Sequence, residues 1–162
     1  MIRVAILTAS DKGARGERED KSAAVIREML DGLGEVVAYA VVPDEQQLLA
    51  AKLREFCDRD RVDLVLTTGG TGFGPRDVTP EATREVIERE VPGLPEAMRA
   101  ASLKITPQAM LSRAVAGIRG QTLIVNLPGS AKGVRENLAA ILPALPHGMA
   151  ILKGEAGECG QP

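Results

Sequence analysis

The sequence predicts an α/β fold: three αβα layers, with a mainly parallel sheet carrying helices on both faces. Three observations predict it. Short apolar runs alternate along the chain with stretches of helical hydrophobic spacing, as the crossover connections of parallel strands require. The core must be aliphatic, because the chain has no Trp, one Tyr and two Phe while 44% of its residues are hydrophobic, and aliphatic strands suit a sheet buried on both faces. At 162 residues the chain is near the usual size of one domain, and such a chain buries roughly 70% of its unfolded surface. We expect a single domain over residues 1–154 and a flexible tail over 155–162.

Ile2 to Thr8 is a first strand, and a polar, glycine-containing loop follows from Ser10-Asp11. From Lys21 to Leu33 the residues Val25, Ile26, Met29, Leu30 and Leu33 recur at helical spacing, with Gly34 placed as a C-cap. Val36 to Val42 is the second strand. Pro43-Asp44-Glu45 then opens a helix whose buried side carries Leu48, Leu49, Leu53, Phe56 and Cys57, with Asp44 placed to cap it. Val62 to Thr68 is the third strand, running into Gly69-Gly70-Thr71-Gly72 before a helix that starts at a Thr79 cap followed by Pro80. Residues 94–111 read as a proline-punctuated helical region. Ala114 to Ile118 and Thr122 to Leu127 read as two strands joined by a tight turn, and a last helix from Lys132 is interrupted by Pro143 and Pro146.

Charge narrows the function. The net charge is −2, yet residues 100–140 hold Lys104, Arg113, Arg119, Lys132 and Arg135 against Glu136 alone. Such a block suits a small anion or a solvated face, and charge counting does not separate the two. A nucleic-acid surface needs a broad basic stripe and stacking aromatics, both missing here. Cys57 and Cys159 form no CxxC pair, so neither a zinc site nor a disulfide framework is indicated. With that cysteine usage cytoplasm is the expected location, and the opening apolar run MIRVAILTAS is too short for a signal peptide or membrane span, so no membrane partner is expected.

In a parallel sheet, ligands bind beyond the carboxyl ends of the strands. The loops at that edge are Ser10-Asp11, Pro43-Asp44, Gly69 to Asp77 and Asn126 to Ser130. Gly69, Gly70, Thr71 and Gly72 put small residues where main-chain N–H groups can approach phosphate oxygens, although the same pattern serves an ordinary strand-to-helix turn. No Walker A lysine follows, and no GxGxxG follows the first strand. Arg76-Asp77 places a carboxylate beside that cradle, where a phosphate is repelled unless a cation intervenes. Mg²⁺ suits hard oxygens, and Asp44 and Asp77 stand at the same edge as its candidate ligands, with helix capping as the competing role. Asn126, Pro128, Gly129 and Ser130, with Lys132 beyond, form a second anion-holding unit. Ser102, Lys104, Ser112 and Arg113 are candidates for hydroxyl and cationic contacts. His147 stands far from every glycine loop, so no Ser-His-Asp arrangement can be assembled.

Leu7 to Asp11, Val42 to Glu45, LTTGGTGFGPRDVTPEAT over 66–83, MLSRAVAGIRG over 110–120 and TLIVNLPGS over 122–130 together resemble the MogA/MoaB family. They are most similar to its molybdopterin adenylyltransferase domains, represented by MogA, gephyrin's G domain and the plant Cnx proteins. That resemblance, over nearly the whole chain, implies the family's fold and the transfer of AMP from ATP to the terminal phosphate of molybdopterin, with release of pyrophosphate. It implies Mg²⁺ and ATP, Asp44 and Asp77 as the essential aspartates, Ser102 as a residue holding the pterin, and Gly69 to Gly72 lining the shared pocket. It also implies a homotrimer and a downstream molybdenum-insertion partner. Ala131 departs from the family, which often carries Pro or a polar residue there.

Two other readings stand beside this one. A MoaB-type protein could bind molybdopterin or act as a scaffold without catalysis, but the intact Asp44 and Asp77 motifs favour the enzyme. A flavodoxin-like carrier needs aromatic stacking partners that this chain hardly offers.

Overall fold

In a computed structural model, residues 1–155 are described. The tail expected over 155–162 lies, apart from Glu155, outside them. Six strands, β1 (Ile2–Ala9), β2 (Gly34–Val42), β3 (Leu64–Thr68), β4 (Arg89–Glu90), β5 (Ala116–Arg119) and β6 (Thr122–Leu127), form one sheet in the order β2-β1-β3-β6-β5-β4. The β2-β1-β3-β6 portion is parallel, while β5 and β4 add antiparallel strands at one edge. The helices are α1 (Asp11–Ala14), α2 (Lys21–Met29), α3 (Gln46–Arg54), α4 (Thr79–Val86), α5 (Gly93–Leu103), α6 (Ala131–Ile141) and α7 (Leu145–Leu152).

Strand alternation divides the core. Val4, Ile6, Leu64, Leu66, Val125 and Leu127 pack under Ile26, Met98, Leu138 and Met149, from α2, α5, α6 and α7. Ala5, Leu7, Val65 and Ile124 point the other way, beneath Leu49, Leu53, Ala82 and Val86 of α3 and α4. Each buried Leu or Ile contributes about 1.5–3 kcal/mol, so both helical layers are held by the same sheet. This is the expected three-layer arrangement. Among the described residues no helix is long and apolar enough to cross a membrane.

Several local expectations change. Gly34 starts β2, and Gly32, at φ +79°, makes the left-handed turn after α2. Asp44 does not cap α3: Glu45 holds that position with no side-chain cap, and the Asp44 carboxylate turns toward Asp11. Thr79 caps nothing either, since it is the first helical residue and Val78 precedes it as N-cap. The interruption expected at Pro143 and Pro146 is present: α6 ends at Ile141, a 3-10 turn covers Leu142–Ala144 and α7 begins at Leu145. Each sits in the first two positions of a new helical segment, where a missing N–H is tolerated. The two-residue β4 carries no apolar pattern from which it could be read.

Candidate functional site

The order β2-β1-β3 means that connections leave β1 and β3 in opposite directions, opening a crevice beyond their carboxyl ends. A cavity of about 1060 Å³ occupies that crevice. Its floor requires glycine. Gly69 has φ +92°, and a Cβ there would stand 2.5 Å from the Ala9 carbonyl oxygen. A Cβ on Gly129 would lie 3.3 Å from the Gly69 Cα. Three chain segments thus meet where no side chain fits. Hydroxyls tie them: Thr68 donates to the Pro128 carbonyl and Ser22 to the Gly129 carbonyl, both at 2.6 Å.

Asp44 and Asp77 both line this cavity, together with Ser10, Asp11, Gly69, Gly70 and Gly129. Asp11 and Asp44 are linked reciprocally. The Asp11 N–H donates to Asp44 Oδ2 and the Asp44 N–H to Asp11 Oδ1, each at 3.0 Å. Arg76 grips the Asp11 carboxylate with two bonds, at 3.0 and 2.9 Å. That bidentate pair holds Asp11 below the usual carboxylate range, with the Asp44 contact adding to it. Asp44 shifts the other way. Burial is the main cause, opposed by its Asp11 N–H bond and reinforced by the negative charges of Asp11 and Asp77. Asp77 Oδ2 accepts the Gly74 N–H at 2.8 Å, which closes the glycine loop on its own carboxylate. Ser10 faces the cavity but spends its side-chain oxygen capping α1 through the Gly13 N–H.

The sequence reading missed one wall of the cavity. Asp20 caps α2 through the Ala23 N–H and accepts hydroxyl bonds from Thr8 at 2.5 Å and Tyr39 at 2.6 Å. Burial, and then the Asp20 carboxylate, push the Tyr39 hydroxyl up to about 12. Lys12, Arg18 and Lys21 also line this wall and bring cations from residues outside the 100–140 basic block. The available signal was Asp20 immediately before a helix beginning at Lys21, a cap pattern.

A second cavity, of about 560 Å³, is lined by Thr71, Gly72, Ser102, Ser112, Pro128, Ser130 and Lys132. Ser102 is buried there and accepts a bond from Asn137 Nδ2 at 3.1 Å. Ser130 caps α6 through the Gly133 N–H. The two glycine units divide the cavities between them: Gly69, Gly70 and Gly129 face the first, and Thr71, Gly72, Pro128 and Ser130 the second.

Other candidates stand elsewhere. Asn126 is fully buried in β6, where its amide accepts from the Val115 N–H and donates to the hydroxyls of Thr67 and Thr83. It is therefore committed to the core and lines neither cavity. Arg113 is also committed internally. It grips Glu81 and donates to the carbonyls of Gly72 and Asp77, shaping the glycine loop from behind. Lys104 is exposed at the end of α5, outside both linings. Arg119 pairs with Asp58 and Arg135 with Glu28, so the basic block is dispersed over several faces rather than gathered.

The family model described as "Probable molybdopterin binding domain" matches residues 5–147. The molybdopterin adenylyltransferase of Helicobacter pylori strain J99 is 45% identical over 156 residues, covering 94% of this chain and 89% of that one. The crystal structure of the molybdopterin biosynthesis enzyme MoaB from Thermus thermophilus superposes with a TM-score of 0.91 at 57% identity, covering 98% of this chain and 100% of the other. The Mog protein of Mycobacterium ulcerans superposes with a TM-score of 0.86 at 38% identity, covering 94% and 99%.

Proposed function

The chain belongs to the MogA/MoaB family of molybdopterin-binding proteins, and from that premise we propose that it is a molybdopterin adenylyltransferase acting on Mg-ATP. The terminal phosphate oxygen of molybdopterin attacks the α-phosphorus of ATP, the Pα–O–Pβ bond breaks, and pyrophosphate leaves with adenylyl-molybdopterin as the other product. The attacking oxygen is already ionised, so the protein's task is positioning and charge stabilisation rather than proton removal.

The observation that carries this reading is the presence of Asp44 and Asp77 on the rim of one cavity floored by Gly69 and Gly70. The donor set fits magnesium held mainly by its substrate. Among the described residues there is no group of three or more His, Cys, Asp or Glu able to hold an ion alone, and Mg²⁺ usually takes one or two carboxylates plus phosphate oxygens and waters. Bound there, Mg²⁺ supplies positive charge to the phosphate oxygens. In this reading Asp44 and Asp77 hold it, while Lys12, Arg18 and Lys21 face the remaining phosphate charge. The second cavity, with Ser102, Ser112 and Lys132, takes the pterin side, next to the first where Gly70 adjoins Thr71 and Gly129 adjoins Pro128 in the chain.

The proposal extends to a homotrimer, a cytoplasmic location and delivery of the product to a molybdenum-insertion protein. Purified protein given ATP, Mg²⁺ and molybdopterin is expected to release pyrophosphate and form adenylyl-molybdopterin. Tight molybdopterin binding without pyrophosphate release would instead establish a non-catalytic MoaB-type binder or scaffold.

A further inference from the structure

Tyr39 is the one aromatic residue lining the first cavity, and the chain holds no other tyrosine and no tryptophan. It stands on β2 two positions before Val41, so the two side chains share a face of the sheet. Val41 lines the cavity with it, and the remaining lining is small or charged. These two residues therefore form the apolar end of an otherwise polar site.

The ring is held in place by the protein alone. Its hydroxyl donates to Asp20 Oδ2 at 2.6 Å, which fixes the ring's outer end. The Arg27 guanidinium lies over one face, 5.3 Å from the ring centroid. Arg27 does not line the cavity, so it backs the ring from outside, while Tyr39, 42% exposed, keeps surface open toward the cavity. An aromatic plate anchored in this way suits a second flat π-system, because stacking on it loses little further freedom. The cavity runs from Gly129, beyond β6, to Tyr39 on β2. In the order β2-β1-β3-β6 that is three strand spacings, about 14 Å, room for an extended nucleoside triphosphate. With the phosphates assigned to Gly69, Gly70, Asp44 and Asp77, the base is left with the β2 end.

We propose that Tyr39 is the base-binding residue of the nucleotide site: the nucleobase of ATP packs against the Tyr39 ring, with Val41 beside it. The inference rests on the adenylyl-transfer reading for the identity of the ligand. Tyr39 contributes by stacking, which every base can accept through its π face. Its hydroxyl is spent on Asp20 and makes no hydrogen bond to the base.

With one tyrosine and no tryptophan in the chain, tyrosine emission reports on this position alone. Full-length protein is titrated with Mg-ATP and with Mg-tripolyphosphate, which lacks a base, and a free tyrosine amide run in parallel corrects for nucleotide absorption. Mg-ATP is expected to quench the emission in a saturable way, and tripolyphosphate to leave it unchanged. Calorimetry on variants supplies the second measurement. Tyr39→Phe, which keeps the ring, is expected to bind Mg-ATP within about threefold of the unsubstituted protein, and Tyr39→Leu to bind it about tenfold more weakly or worse, with tripolyphosphate bound equally by all three. Saturation with Mg-ATP that leaves the emission unchanged overturns the assignment alone, as does a Tyr39→Leu protein that binds Mg-ATP as tightly as Tyr39→Phe. Equal weakening of ATP and tripolyphosphate in Tyr39→Leu overturns it too, because the effect would then lie at the phosphates. An unsubstituted protein that binds no Mg-ATP overturns the adenylyl-transfer reading and this assignment with it.

Discussion

The carboxylates of Asp11 and Asp44 each accept the other's main-chain N–H, both at 3.0 Å. This reciprocal pair ties the loop after β1 to the loop after β2, so Asp44 is aimed by backbone rather than left to its own rotamers. Arg76, donating to both Asp11 oxygens, brings the loop after β3 into the same arrangement. The acidic edge of the cavity is thereby organised before any ligand arrives, and organisation of that kind costs stability.

That cost is measurable at Asp44. Its carboxyl is raised, first by burial and then by the charges of Asp11 and Asp77, against the opposing bond from the Asp11 N–H and the charge of Arg76. A raised carboxyl binds its proton more tightly folded than unfolded, so ionised Asp44 destabilises the protein above its folded pKa, and the penalty fades as pH falls through that value. Asp44→Asn keeps an acceptor for the Asp11 N–H while removing the charge. The variant is expected to melt above the unsubstituted protein at pH 7, with the difference gone below about pH 4. Equal melting temperatures at pH 7 would show that ionised Asp44 carries no such penalty.

Asp77→Asn separates charge from shape. The amide oxygen of Asn can still accept the Gly74 N–H that Asp77 Oδ2 takes at 2.8 Å, so the loop is expected to hold. Adenylyl transfer, followed by pyrophosphate release, is expected to fall about 10²- to 10³-fold. Its melting temperature should stay within a degree or two of the parent, roughly the range of a surface change. Full activity in this variant would remove Asp77 from the proposed magnesium site.

The parts of this arrangement that were legible follow from period and topology. Apolar runs such as Val4 to Leu7 mark strands buried on both faces, and parallel strands deliver Ser10, Asp44, Gly69 and Gly129 to one edge whatever the details of their loops. Spatial partners were not legible. Nothing in the order of residues says that Arg113 meets Glu81, 32 positions away, so its charge read as available for ligand when it is already neutralised. Asn126 presented the same ambiguity: a polar residue at the end of the strand expected over 122–127 and beside Pro128-Gly129 reads as a ligand contact, whereas its partners are the buried Val115 N–H and the Thr67 and Thr83 hydroxyls. Asp20 and Tyr39 come together only because β2 pairs with β1, which sets the Tyr39 side chain beside the Thr8–Asp20 bond.

The internal role of Asn126 yields a prediction opposite to that for a substrate contact. Its side chain makes three buried bonds, to the Val115 N–H and to the Thr67 and Thr83 hydroxyls. Asn126→Ala leaves those partners unsatisfied and is expected to cost roughly 2–4 kcal/mol in urea denaturation. The KM values for ATP and molybdopterin of the protein that remains folded should be unchanged. A raised KM with undiminished stability would return Asn126 to the binding site.

Gly69 is where fold and site make the same demand. Its φ of +92° disfavours any L side chain, and the Ala9 carbonyl oxygen 2.5 Å from a built Cβ belongs to the backbone of β1, which cannot swing away as a side chain could. Gly129, with its own Cβ position 3.3 Å from the Gly69 Cα, closes the other side. Gly69→Ala is therefore expected to destabilise the protein by roughly 2–4 kcal/mol, from conformational strain and overpacking together. Gly74→Ala is the contrasting substitution, since the atom its Cβ meets is the Asp77 carboxylate at 2.8 Å rather than main chain. It should leave the denaturation midpoint nearly unchanged while displacing Asp77 and lowering the rate of pyrophosphate release. If both alanines reduced stability equally, the distinction between a glycine that admits β1 and a glycine that admits a carboxylate would not hold.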